Sequence, residues 1–208
     1  MQPPARADPP YVPIRHVPWP ARRMPRWLIA GLLAVVLGAV LTGIAIHPSR
    51  SQRAADLNGF LADMKTGIQS CAGGVRDSLI VLRAIESGAS HDVTTAIGVA
   101  TYGAPNCSPA NSMPLDDLAT YQVPESLYSF HLDRAVNGLL TWAFPDAQRV
   151  MDDVAAVMRA HGAARAAATA SLQHALRVLD AQRSYVDKIM MTAVNATRAT
   201  GRPPTLPG

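Results

Sequence analysis

Aromatic side chains make up only 5% of this 208-residue chain, and lysine occurs only at Lys65 and Lys188. Ala and Leu supply much of the 49% hydrophobic content instead. So little aromatic character argues against a sheet-based core and for close-packed helices. Catalytic signatures are missing too. The chain has no HExxH, no GxSxG, no phosphate-binding glycine loop and no paired catalytic carboxylates. There is no Cys-x-x-Cys, and no His or Cys pair has the close spacing of a zinc finger, so neither a redox motif nor a metal site is indicated. Nothing calls for a cofactor, and we expect no enzyme.

Charge is scarce in one region and concentrated in another. Within residues 1–26, Arg6, Arg15, Arg22, Arg23 and Arg26 face a single acid, Asp8, so this stretch carries the whole net charge of +4. The remaining chain is neutral, which speaks against a nucleic-acid binder, whose folded part would carry the cations. The same leader contains no Ser or Thr and is dense in proline, so it is expected to be extended and disordered. Pro9-Pro10-Tyr11 resembles short proline motifs read by aromatic grooves, although a solvated basic leader that sets topology is the simpler reading.

One long uncharged run stands out. Residues 27–46 contain no ionisable side chain, and as a helix they would span about 30 Å, the thickness of a bilayer core. Trp27 marks one edge and Pro48 lies just beyond the other. With the arginines all on the N-terminal side, the leader is expected in the cytoplasm and residues 47–208 outside. A cleavable signal peptide, with Gly43 and Ala45 before the cut, is the rival reading; its apolar region would be shorter, at about 7–15 residues. Both readings export residues 47–208. Ala30, Ala34, Gly38 and Thr42 recur every four residues, a spacing that lets two membrane helices approach and makes this a candidate dimer face.

Beyond residue 47 the apolar spacing is helical throughout. Leu57, Leu61, Met64, Ile68, Cys71, Val75, Leu79 and Leu82 form one stripe that keeps its phase across Gly73-Gly74. This predicts a single long helix with a weak point at the glycines, or a hairpin there. A shorter helix capped by Ser90 should carry Val93, Ile97 and Ala100. Pro124 and Pro145 are expected to start two more, and Gly162 to end the second of these. The last helix repeats apolar residues at Ala168, Leu172, Ala175, Leu179, Gln182, Val186, Ile189, Ala193 and Ala196, which is coiled-coil spacing. The expected domain is an all-α, elongated antiparallel bundle over residues 47–200, followed by a disordered tail, 201–208.

The two cysteines, Cys71 and Cys107, are expected to pair, because exported thiols usually do. Closing a loop of about 36 residues stabilises a fold by roughly 4 kcal/mol in the chain-entropy model. Asn106-Cys107-Ser108 and Asn195-Ala196-Thr197 fit the glycosylation pattern, which we take as accidental. Trp142 and Phe144 flank a turn and should cap the core; together with Tyr121 they are also the candidates for an exposed ligand or partner surface.

The segments "CAGGVRDSL", "NCSPANS" and "LDDLATYQVPESL" resemble stretches of uncharacterised single-pass membrane proteins of high-GC Gram-positive bacteria, a group with no assigned activity. The resemblance implies an actinobacterial envelope protein and transfers no functional residue. The expected function is that of an anchored binding or scaffolding module. Its partners would be the lipid bilayer and another envelope protein or a second copy. An extracytoplasmic sensor that signals through a partner chain is the alternative.

Overall fold

The computed structural model describes residues 31, 33–35 and 48–207. The leader, most of the expected membrane helix, and Ala30, Gly38 and Thr42 of the candidate dimer face lie outside the described residues. Ala34 is helical and exposed. Among the described residues no helix is long and apolar enough to cross a membrane. The chain divides between Ile46 and His47, and the second unit is an all-helical bundle without strands among the described residues.

Helix α1, Arg50–Glu86, is continuous over 37 residues, about 55 Å at the standard rise. Ser49 caps it by accepting from the Gln52 amide at 3.1 Å. Its buried face carries the expected stripe from Leu57 to Leu82. Gly73-Gly74 is neither hinge nor hairpin. A Cβ on Gly74 would sit 3.4 Å from the Gly103 backbone and 3.2 Å from Met151 Sδ, so the residue is small because a second helix crosses there. That helix, α2, spans Val93–Gly103. Its cap is Asp92 rather than Ser90. The Asp92 carboxylate accepts from the Thr95 amide at 2.9 Å and from the Thr95 hydroxyl at 2.6 Å, while Ser90 supports the turn by accepting from the Asp92 amide.

The segment after α2 is more ordered than a bare crossover. Two short 3₁₀ turns, Ala104–Cys107 and Pro109–Asn111, lead into α3, Met113–Ala119. Pro124 does start helical structure, but only a 3₁₀ turn, Glu125–Phe130; His131 then adopts a left-handed conformation (φ 52°) before α4, Leu132–Thr141. A π-helical segment, Trp142–Ala147, interrupts the run where Phe144 leaves helical geometry ahead of Pro145. Helix α5 comes next, over Gln148–Arg159. Gly162, at φ 53°, opens the last helix instead of ending α5; α6 covers Gly162–Thr197.

Side-chain bonds fix the topology. Cys71 of α1 and Cys107, the last residue of the 3₁₀ turn that follows α2, pair with Cα atoms 4.6 Å apart. Lower down the same arm, Tyr121 reaches Asp63 and Ser126 reaches Asp56. Arg159 donates to Thr101 on α2, Ser171 to Asp153 on α5, and Gln182 to the Gly138 carbonyl on α4. The bundle therefore runs up (α1), down (α2–α3), up (α4–α5) and down (α6), with only the first and last arms unbroken. On α6 the buried positions are Leu172, Ala175, Leu179, Val186, Met190, Ala193 and Thr197. The expected heptad stripe slips by one residue after Val186, from Ile189 and Ala196 to Met190 and Thr197. A straight helix at 3.6 residues per turn drifts off a 3.5 repeat in this way.

The expected disordered tail is packed. Beyond the left-handed Arg198 (φ 59°) the chain turns back, the Gly201 amide donates to Asn58 Oδ1 at 2.8 Å, and Leu206 is 3% exposed.

Candidate functional site

The three aromatic candidates do not share a surface. Trp142 is completely buried and belongs to the core, which corrects its place among the surface residues. Its Nε1 and the Gln148 Oε1 have no hydrogen-bond partner among the described residues. Phe144, two positions on, faces out at 48% exposure because it leaves the helical geometry. Tyr121 is half-buried. Its ring meets Phe60 edge-to-face at 5.7 Å, and its hydroxyl donates to Asp63 Oδ2 at 3.0 Å. Burial, with the Asp63 carboxylate beside it, pushes the phenol up to about 12.

Tyr121 lines a cavity of about 400 Å³ with Val123, Tyr128, Leu132, Asp133 and Asn137. Tyr128 is 61% exposed at its mouth, so the cavity joins an apolar wall to a few polar groups. A broader open groove of about 700 Å³ lies over the α1–α2 crossing, where Gly73, Gly74 and Gly103 leave its floor without side chains. Tyr102 lines it at 83% exposure, and Met113, next to the lining residue Pro114, is 80% exposed. Neither was singled out from the sequence. The available signal was an aromatic and a methionine inside a turn-rich segment, where no apolar periodicity asks for burial.

This groove sits beside the Cys71–Cys107 pair. Both cysteines are fully buried, so the pairing holds the segment that carries Tyr102 and Met113 without presenting a reactive thiol. The described residues include no group of three His, Cys, Asp or Glu that could hold a metal ion. Hydroxyl–carboxylate bonds do occur, at Ser126–Asp56 and Ser171–Asp153, but no histidine side chain hydrogen-bonds among the described residues. Asp152 and Asp187 are raised above the ordinary carboxylate range, in both cases chiefly by burial, and each has an arginine opposing the shift.

No protein-family model matches the chain, and neither curated proteins nor solved structures give a match.

Proposed function

We propose that the chain is a membrane-anchored, extracytoplasmic helical bundle that binds or scaffolds another cell-envelope protein. The observation that carries this reading is the groove beside the cysteine pair. A well-ordered bundle exposes Tyr102 and Met113 together on a segment tied to its longest helix. Large apolar residues on a tethered, preorganised segment are what a protein partner uses, since little ordering entropy opposes binding. The buried cysteine pair suits an oxidising compartment, in keeping with export through the uncharged run 27–46.

Chemical crosslinking in cells and then pull-down should recover one defined partner, and Tyr102→Ala with Met113→Ala should remove it. Repeated recovery of the chain alone, or of the same partner from the double variant, refutes the assignment to this groove. A sensor reading has one observation in its favour, the 400 Å³ cavity at Tyr121. It predicts a thermal shift with small envelope metabolites that is lost in Tyr128→Ala.

A further inference from the structure

We infer that the groove between α1 and α6 is a second binding surface, built for an extended proline-rich polypeptide segment with an acidic residue at its centre. The inference goes beyond the Tyr102 groove and rests on the binding-module reading. The chain's own tail occupies this groove and shows what chemistry it accepts.

The tail enters at a fixed point. A Cβ on Gly201 would stand 2.8 Å from Asn58 Oδ1 and 3.1 Å from Leu61 Cδ1, so a larger residue there would displace the Asn58 side chain that accepts the Gly201 amide. From there Pro203-Pro204-Thr205-Leu206-Pro207 runs without helical or strand structure. Pro204 and Leu206 are buried while Thr205 between them is exposed. That alternation is the mark of an extended segment laying every second side chain into a surface. After Gly201, none of the hydrogen bonds among the described residues ties the tail to the bundle. Buried Pro204 and Leu206, half-buried Pro203 and Pro207, and the Asn58 bonds to Thr200 and Gly201 hold it, so it is a strap that an equivalent segment can replace.

The groove is also wider than its occupant. A cavity of about 370 Å³ lies on the α1 side of the strap, bounded by Ile68, Gly73, Lys65 and Arg76. A second, of about 360 Å³, lies on the α6 side, with Arg183, Asp187 and Met191. Thr205 borders both. The single ion pair among the described residues joins Arg183 to Asp180, which leaves Lys65 and Arg76 without an ion-pair partner there. A carboxylate at the Thr205 position would answer these cations in a way the hydroxyl does not. The favoured ligand is therefore Pro-Pro-(Asp/Glu)-aliphatic-Pro.

The test uses the full chain carrying Leu206→Asp, which releases the strap, and a fluorescent peptide of residues 201–207. Saturable binding to the variant is expected, about tenfold weaker to the unaltered chain because the tail competes in cis. A peptide with Thr205→Glu should bind about tenfold tighter than one with Thr205→Lys, and the ratio should collapse towards one in about 1 M salt. Absence of saturable binding, equal binding to both chains, or no dependence on residue 205 overturns the inference. Loss of the helical signal in Leu206→Asp overturns it as well, because the tail would then be core and not strap. Hydrogen exchange of the unaltered chain gives an independent reading, with the Thr205 and Leu206 amides expected to exchange at least about a hundredfold faster than those at the centre of α6. Protection equal to that of α6 contradicts the strap. A partner still captured through Tyr102 after these failures would retire this groove alone, whereas loss of all captured partners would retire the module reading.

Discussion

Breaking the Cys71–Cys107 link should cost about 4 kcal/mol and act first on one hairpin. The two residues are 36 apart in sequence, and in the chain-entropy model a loop of that size restricts the unfolded ensemble by about 4 kcal/mol. For a domain of this size each kcal/mol moves the melting midpoint by about 2–4 °C, so reduction should lower it by about 8–16 °C. The structure adds where the loss is felt. The link closes the open end of the α1–α2 hairpin, whose other end is the turn around Gly88, and the Gly74–Gly103 contact lies between. Once it is broken, α2 amides should lose exchange protection before those of α5 and α6. The denaturant m-value should rise as well, because the unfolded chain is no longer held compact. The assay is a pair of thermal melts, oxidised and reduced, monitored by circular dichroism, with a thiol count confirming two free sulfhydryls in the reduced sample. A shift below about 3 °C with both thiols counted would refute the argument, as would simultaneous loss of protection in all helices.

Two glycines six residues apart on α1 should respond in opposite directions. Gly67→Ala drives a methyl into the Leu118 side chain and should destabilise by about 1–2 kcal/mol, whereas Gly73→Ala meets nothing within 4 Å and should stabilise by about 0.5–1 kcal/mol; urea melts read both. Tyr121 has a folded-state pKa raised to about 12 from 10.0, so its contribution is complete below pH 10 and is lost as pH rises from there towards 12. Tyr121→Phe should flatten the fall in stability over that window, measured by denaturant melts at fixed pH; an unchanged slope rejects the Tyr121 phenol, raised first by burial and then by Asp63, as its source.

Where a physical signal is periodic or covalent, the fold was legible beforehand. The α1 stripe, the all-helical bundle and the Cys71–Cys107 pairing belong to that class. The rest depends on single residues whose conformation is decided by tertiary context. His131 goes left-handed and Phe144 leaves the helix, and no apolar spacing announces either. Gly74 looked like a weak point because one helix alone cannot reveal the neighbour that crosses it. The tail misled for a related reason: a proline-rich segment has no internal hydrogen bonds, so composition points to disorder, yet burial of Pro204 and Leu206 orders it. Trp142 and Phe144 were paired by proximity in sequence, and the π-helical break sends one inward and the other out. The surface at Tyr102 and Met113 was marked only by the lack of apolar periodicity around it, a weak signal beside the strong helical stripes on either side.

The functional account stands on the bundle lying outside the membrane, and the chain's scarcity of lysine provides the most direct test. Its only lysines, Lys65 and Lys188, are both exposed on the bundle, and residues 1–46 contain none. A membrane-impermeant, amine-reactive label applied to intact cells should modify Lys65 and Lys188, as read by peptide mass spectrometry. Labelling of these residues only after the cells are broken would place the bundle on the inner side and contradict the account.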